Sequence, residues 1–286
     1  MIKKIDGKYV VLFLCGIIKA SWGINKTNKK HMKKILLTIF IGAVIFAVSG
    51  IVSASMLIPA ADQAKERAKA PENSPVITET GAGEWDLERV DFIHYAKPVN
   101  SGKPTRTDTC YKLMGMKWTA LPVNYIINPN NLQGLDQNFI ISAISTSAET
   151  WDAATSAELF NNTYTIDNAV QYGVQDYKNA IAFGNYTDAN VIAVTSVWYT
   201  RVGKKIVEFD MLLDTDFVWG DATIDVTVMD LQNIVTHELG HAVGLNDVYS
   251  TSCSYVTMYG YSDNGDVAKR SLEQPDITGL RKMYGI

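Results

Sequence analysis

The amino-acid sequence predicts an α+β or α/β fold, in which a twisted mixed β-sheet packs with a long first helix, a candidate active-site helix and a C-terminal helix. Apolar side chains in residues 139–160 recur at three- and four-residue steps, which is the helical period. Two β-rich runs, 191–200 and 205–213, flank a short polar turn and are typical of a hairpin. Residues 231–243 again have helical spacing, so strands and helices alternate along the chain.

Turn and capping residues define the remaining elements. A short apolar run at 123–127 ends at an Asn-Pro-Asn-Asn turn, and 180–183 is a further strand candidate. Asp230 is positioned to cap the start of the active-site helix, and Gly244 is positioned to end it. The last helix is predicted at 276–283, because a proline precedes it and a glycine follows it.

Charge is distributed unevenly over the 286 residues. The first 54 residues contain nine lysines and one acidic residue, so the remainder has 17 basic and 29 acidic residues and a net charge of −12. A surface this acidic repels phosphate backbones, which argues against nucleic acid as a partner. A composition that is 47% hydrophobic and 20% charged also excludes a disordered chain.

The N-terminal region has the order of charges typical of an export signal. Five lysines between residues 26 and 34 precede an uncharged stretch at 35–61. Val52-Ser53-Ala54 fits the rule for cleavage after Ala54, whereas an uncharged stretch of this length can also anchor the chain in a membrane. Both alternatives place the rest of the chain outside the cell, either secreted or at the extracellular surface.

Composition divides the chain into four parts. Residues 1–31 precede a conventional signal start at Met32 and are interpreted as an upstream extension. Residues 32–54 are the signal peptide or membrane anchor. Residues 55–106 are rich in Lys, Glu, Pro, Gly and Ser, and we interpret them as a pro-segment or linker with one short ordered piece. Residues 107–286 form the domain in which the chemistry is expected.

The chemistry is carried by the run His-Glu-Leu-Gly-His-Ala-Val-Gly-Leu-Asn-Asp, which starts at His237. His237 and His241 lie one helical turn apart on one face, where two imidazoles can bind one Zn²⁺. Glu238 is placed to act on a water molecule at the same ion. Gly244 lets the chain leave the helix sharply and brings Asp247 back as a third ligand, so that a fourth position is left for water.

The alternative to a metal site is a core helix with two hydrogen-bonded histidines. The chain has four histidines, and two of them fall within this one turn, which favours the metal. Only His94 supplies another imidazole beyond the first 54 residues. Its apolar neighbours suggest a strand, so we expect a structural role for His94.

The pattern from His237 to Asp247 resembles the zinc signature of the metzincin metallopeptidases. Most metzincins have histidine at the last position, and aspartate there resembles the snapalysin group. The sequence around Met258, Thr-Met-Tyr-Gly-Tyr, resembles the Met-turn that lies beneath the metal. The resemblance implies a zincin-like fold and a metzincin-like catalytic domain over residues 107–286.

Within the metzincins, the chain is similar to the matrixins. That similarity implies that residues 206–214 form the cleft-edge strand, to which an extended substrate adds as a further strand. It also implies that Tyr259 and Tyr261 line the primed-side specificity pocket, although matrixins have proline where this chain has Gly260.

The activity implied by the resemblance is zinc-dependent hydrolysis of protein or peptide substrates, with Glu238 as the general base. A gluzincin-type peptidase would instead use a distant carboxylate such as Glu273 as the third ligand, but Gly244 and Asp247 argue against this. A surface binding protein with a structural zinc is a second alternative. Such a protein would not need Glu238.

Cys110 and Cys253 are the two cysteines beyond residue 54, and in an exported protein they most simply form a disulfide bond. The alternative is that Cys110 is an inhibitory thiolate that caps the zinc, as in matrixin pro-segments. The sequence around Cys110 does not resemble that family's switch motif.

Calcium is a further candidate cofactor. The acidic pairs Asp214/Asp216 and Asp263/Asp266 could supply oxygen ligands, but no complete ligand loop surrounds either pair, which favours solvated acidic loops. The sequence does not define the oligomeric state.

Overall fold

A computed structural model describes residues 2–5, 8–11, 76–79, 86–96 and 109–286. The expected signal peptide or anchor at 32–54, and the stretch 35–61, lie outside the described residues. In the described part of the chain, no helix has the length and apolar character needed to cross a membrane.

The chain divides into two compact units, Met1–Lys65 and Glu66–Ile286. In the first unit, strands β1 (Ile2–Ile5) and β2 (Lys8–Val11) form an antiparallel pair. This pair lies within the residues interpreted as an upstream extension.

The second unit contains three helices and twelve strands in its described part. The helices are α1 (Gln137–Asp152), α2 (Leu231–Ala242) and α3 (Gln274–Tyr284). The strands that precede α2 are β3 (Val76–Glu79), β4 (Leu87–Ala96), β5 (Lys112–Leu113), β6 (Ile126–Asn128), β7 (Thr165–Ile166), β8 (Ala180–Gly184), β9 (Val191–Thr200), β10 (Ile206–Asp214), β11 (Trp219–Gly220) and β12 (Met229–Asp230). The strands that follow α2 are β13 (Leu245–Asn246) and β14 (Tyr261–Ser262).

Eight of these strands form one twisted sheet in the order β14-β4-β9-β10-β8-β6-β7, with β3 also paired to β4. Strands β7, β6, β8 and β10 are parallel to one another. Strand β9 is antiparallel to β10, because the turn between them reverses the chain. The mixed sheet with three helices confirms the predicted α+β class.

Strand order corrects one expectation about the substrate cleft. Residues 206–214, expected to form the cleft-edge strand, are β10, which pairs with β8 on one side and β9 on the other. Its edges are therefore occupied, and the prediction was wrong. The hairpin places β9 on the outer side of β10, between β10 and β4.

Strand β4 covers the outer edge of β9 along almost its full length. The pairing runs from Leu87 opposite Thr200 to Tyr95 opposite Val191. This ladder buries Val90 and Phe92, which are 3% and 2% exposed. The sheet thus includes a strand from the range 55–106, and the folded unit begins before residue 107.

Helices α1 and α2 pack against each other in the main hydrophobic core. The indole of Trp151 is fully buried and donates a hydrogen bond to the carbonyl of Thr236, 2.8 Å away. Burial of a side chain this large contributes about 3 kcal/mol. Helix α1 ends at Asp152, short of the predicted 160, because the Asp152 carboxylate accepts from the backbone of Leu159 and Phe160 and fixes a turn.

The ends of α2 agree with the sequence prediction. The Asp230 carboxylate caps the helix by accepting from the backbone N–H of Asn233, 2.8 Å away. Gly244 follows the helix with φ +103°, and a Cβ there would lie 2.5 Å from the carbonyl oxygen of Met116. Glycine is required at this turn, which directs the chain toward Asp247.

Candidate active site

Helix α2 presents His237 and His241 on one face, both 1% exposed or less. Each ring is oriented through its Nδ1 atom: His237 contacts the carbonyl of Thr257 at 2.7 Å, and His241 contacts that of Leu245 at 2.9 Å. A carbonyl only accepts, so Nδ1 carries the proton in both rings. The lone pair of each Nε2 is then available to a metal.

Asp247 completes a cluster of three ligand atoms. Its Oδ1 lies 3.1 Å from Nε2 of His237 and 3.5 Å from Nε2 of His241. Four ligands around a tetrahedral zinc, each about 2.0–2.1 Å from it, lie roughly 3.4 Å apart. Nε2 of His237 and Oδ1 of Asp247 are buried without a hydrogen-bond partner, which suits a cation between them. The three predicted ligands therefore come together, and their donor set fits zinc.

The protonation states of His237 and Asp247 suit metal binding. Burial lowers the pKa of His237 to about 4, so the ring is neutral at pH 7. Burial alone would raise the pKa of Asp247, but interactions with His241 and His237 outweigh it and hold the pKa below its usual range. A neutral imidazole and an ionised carboxylate are the forms that coordinate zinc.

Both carboxylate oxygens of Glu238 are engaged. Oε1 lies 2.9 Å from Nδ1 of His94, and Oε2 accepts a hydrogen bond from the Thr195 hydroxyl at 2.6 Å. The side chain is fully buried, and burial raises its pKa to about 7. A carboxylate that titrates near neutrality suits a general base and acid.

Strand β4 brings two aromatic rings against His237 and His241. The ring of Phe92 stacks on His241, with centroids 4.3 Å apart and planes 13° apart. The ring of His94 lies against His237 with a centroid distance of 4.0 Å. His94, expected to be structural, thus contacts His237 and Glu238, and β4 covers the candidate site on this side.

Lys269 lies behind His94 and is 3% exposed. Its ammonium donates to the backbone carbonyls of Tyr259 and Tyr261, and lies 3.2 Å from Nε2 of His94. Nε2 is then the acceptor and Nδ1 the donor of His94, which assigns the His94–Glu238 contact as Nδ1–H to carboxylate. Burial lowers the pKa of Lys269 to about 8, which keeps it mainly protonated at pH 7.

The segment around Met258 packs against α2, which carries the two histidines. Met258 is fully buried against α2, and a Cβ on Gly240 would lie 2.2 Å from its sulfur. The Asp276 carboxylate accepts from the backbone N–H groups of Thr257 and Met258, and so holds the turn. The assignment of Met258 to a Met-turn stays a prediction from the resemblance.

Tyr259 and Tyr261 follow this turn and lie beside the site. Their rings contact each other with centroids 5.8 Å apart. Tyr261 begins β14, which pairs in parallel with Tyr95 and Ala96 of β4. Gly260 allows the ring of Tyr249 to approach, since a Cβ there would lie 2.3 Å from it.

Cys110 and Cys253 form a disulfide bond with their Cα atoms 5.2 Å apart. The sulfur of Cys110 is therefore bonded to Cys253, which disagrees with the alternative of a zinc-capping thiolate. Glu273, the alternative third ligand, is the N-cap of α3 and exchanges capping hydrogen bonds with Asp276.

The two acidic pairs considered as calcium sites, Asp214/Asp216 and Asp263/Asp266, have no third metal-ligating side chain beside them in the described part of the chain. Within the described ranges, the groups of at least three metal-ligating side chains all include His237, and neither acidic pair belongs to one. Asp214 is buried and accepts from the backbone of Tyr186 and Asp216, so it organises a turn.

The sequence did not identify Phe92, Thr195 and Lys269 as residues of the site, and it predicted only a structural role for His94. One signal was present for β4: Val90, Phe92 and His94 alternate and so share one face of a strand. Nothing local distinguishes Thr195 or Lys269, because their roles depend on contacts distant in sequence.

Comparison with known proteins adds independent findings. A family model described as Peptidase_M10, matrixin, matches residues 117–285. Stromelysin-1 of Rattus norvegicus is 25% identical over 170 residues, which cover 59% of this chain and 33% of that protein. Stromelysin-1 of Mus musculus is 25% identical over 171 residues, with the same coverage. The chain thus aligns with about a third of the length of these curated relatives.

Proposed function

Since the chain belongs to the matrixin family, we propose that it is an exported zinc endopeptidase that hydrolyses protein or peptide substrates. Membership of the matrixin family confirms the metzincin and matrixin resemblance predicted from the sequence. Zinc is the cofactor on which matrixins depend. The observation that carries the proposal is the convergence of His237, His241 and Asp247 beside the buried carboxylate of Glu238.

Each residue of the site has a separate role in hydrolysis. His237, His241 and Asp247 would hold the zinc, which when bound lowers the pKa of a water molecule to about 7 and polarises the peptide carbonyl. Glu238 accepts the proton of the attacking water and delivers it to the departing amine. Thr195 orients the Glu238 carboxylate through its 2.6 Å hydrogen bond.

Two alternatives have less support. A gluzincin-type site would need Glu273 as a ligand, but this residue caps α3 and belongs to neither ligand cluster in the described part of the chain. A binding protein with a structural zinc would not need Glu238, whose raised pKa and hydrogen bond from Thr195 suit proton transfer.

The proposal includes a latent state of the full chain, in which residues 55–106 act as a pro-segment. Strand β4 runs antiparallel to β9 and parallel to β14, as a substrate strand added to this sheet edge would. Its side chains bury the ligand histidines and bond Glu238, so a substrate cannot reach them while β4 is in place. Release of β4 opens the cleft.

Export is proposed from the N-terminal charge pattern. Residues 32–54 act as a signal peptide, or residues 35–61 anchor the chain, with 1–31 as an upstream extension. The catalytic domain, including Met258, Tyr259 and Tyr261 around the cleft, then operates outside the cell, where the Cys110–Cys253 disulfide is stable.

Incubation of the protein with unfolded casein, with and without a chelator, tests the activity. We expect cleavage that the chelator stops and added zinc restores. N-terminal sequencing of the secreted form tests the processing, with a new terminus expected after Ala54 and another beyond β4. Casein left intact by protein from which β4 has been released would contradict the proposed function.

A further inference from the structure

We infer that Lys269 makes the pocket for the residue after the scissile bond selective for side chains that end in a hydrogen-bond acceptor, such as glutamine or histidine. This inference rests on the proposed function and names the substrate class of the same site. Its evidence is the way His94 of β4 is held.

Strand β4 serves as a stand-in for a bound substrate. It bridges β9, with which it is antiparallel, and β14, with which it is parallel. The general base delivers a proton to the departing amine, which belongs to the residue after the scissile bond. That residue must therefore lie beside Glu238. On β4 the residue whose side chain reaches Glu238 is His94, at 2.9 Å.

The His94 side chain occupies a pocket in which the ring of His237 forms one flat wall. Its ring lies 4.0 Å from the ring of His237, centroid to centroid, and is fully buried. The carbonyls of Tyr259 and Tyr261 are held beyond it by Lys269. A planar or extended side chain of similar length fits this space.

Lys269 supplies the chemical preference. An ammonium group has three donors. Two are used by the carbonyls of Tyr259 and Tyr261, and the third is directed at Nε2 of His94, 3.2 Å away. An entering side chain with an acceptor at this depth replaces Nε2, whereas an aliphatic side chain leaves a buried donor without a partner.

The first test uses the full chain and does not require catalysis. Hydrogen exchange of the β4 amides is measured for His94→Gln and His94→Leu, each with Lys269 intact and with Lys269→Met. We expect His94→Gln to keep protection within about threefold of wild type and His94→Leu to lower it at least about tenfold. With Lys269→Met, leucine should protect as well as glutamine or better. Lys178→Met, an exposed lysine, is the matched control.

Equal protection for His94→Gln and His94→Leu with Lys269 intact would overturn the inference, and this comparison does not depend on whether Lys269→Met folds.

The second test uses full-length Val90→Asp, in which β4 is loosened, and peptides with Gln, His or Leu after the scissile bond. We expect kcat/KM at least about tenfold higher for Gln and His than for Leu. A preference for Leu would also overturn the inference. If neither Val90→Asp nor the wild type cleaves any peptide, the proposed function fails, and the exchange experiment still tests the preference of the pocket.

Discussion

Nδ1 of His94 donates a hydrogen bond to Oε1 of Glu238 over 2.9 Å, between residues separated by 144 positions in the chain. The bond ties Glu238, the proposed general base, to strand β4, whose side chains also cover His237 and His241. Under the proposed function, activity of the full chain depends on how firmly β4 is paired.

Replacement of Val90 by aspartate should activate the full chain. Val90 is 3% exposed and packs in the core, so a charge there weakens the docking of β4. Phe92 and His94, which contact the two histidines, are left unchanged. We expect casein cleavage to rise at least about tenfold over the full-length wild type, since a displaced β4 uncovers Glu238. Val226→Asp, at a side chain that is 70% exposed, should leave the rate unchanged. Loss of activity in soluble, folded Val90→Asp would show that β4 is part of the active enzyme.

Glu238→Gln should retain zinc and lose turnover. The amide keeps the size of the side chain but cannot accept the proton of the attacking water, so kcat should fall about 10²–10⁴-fold. Bound zinc is measured by elemental analysis, and activity is measured in the Val90→Asp background. Full activity in the zinc-loaded variant would rule out Glu238 as the general base.

Asp247→Ala and Glu273→Ala should separate the two possible third ligands. Asp247 lies 3.1 Å and 3.5 Å from the two imidazoles, whereas Glu273 caps α3. We expect Asp247→Ala to lower zinc affinity at least about tenfold, and Glu273→Ala to leave it unchanged while lowering stability by about 1 kcal/mol. Affinity is measured by competition with a chelator of known strength. The reverse pattern would favour the gluzincin-type site.

Sequence alone predicted the part of the site that one helix and one turn create. The spacing of His237 and His241 fixes their common face, and Gly244 permits only a sharp exit toward Asp247. These relationships are local, so periodicity and backbone freedom suffice to derive them. The same holds for the cap at Asp230.

The contacts of His94 could not be predicted because they depend on strand pairing. The alternation around residue 94 indicates a strand, but not that the strand pairs with β9 and faces α2. Likewise, the composition of residues 205–213 gives no strand order, and the hairpin rather than any residue pattern placed β10 inside the sheet. The pairing of strands that are distant in sequence depends on packing throughout the core, and local residue propensities do not determine it.

The disulfide should be present in the native protein and should contribute strongly to stability. Cys110 and Cys253 are 143 residues apart, so the bond closes a long loop and contributes about 4–5 kcal/mol on the chain-entropy estimate. We expect neither cysteine to react with an alkylating agent unless the protein is first reduced and unfolded. Cys110→Ser/Cys253→Ser should unfold at lower denaturant concentration. Alkylation of either cysteine in unreduced, denatured protein would show that the bond is absent.

Asp152→Asn should stabilise the fold in a manner that depends on pH. Burial raises the pKa of Asp152 from 3.8 to about 6, and its Oδ2 is buried without a partner at the end of α1. The folded chain thus holds this proton more tightly than the unfolded chain, so wild-type stability falls as pH rises from about 4 to about 6. The shift corresponds to about 3 kcal/mol at full burial. Partial solvent exposure reduces this to about 1 kcal/mol.

Asparagine keeps the Oδ1 hydrogen bonds to the backbone of Leu159 and Phe160 and carries no charge at any pH. Relative to wild type, Asp152→Asn should therefore have an unchanged Tm at pH 4 and a Tm about 2–4 °C higher at pH 7. Glu158→Gln removes an exposed carboxylate from the same turn, whose charge is a smaller cause of the raised pKa of Asp152, and should change Tm less than Asp152→Asn does at pH 7. A Tm difference between Asp152→Asn and wild type that is the same at both pH values would mean that the pKa of Asp152 in the folded chain is close to that in the unfolded chain.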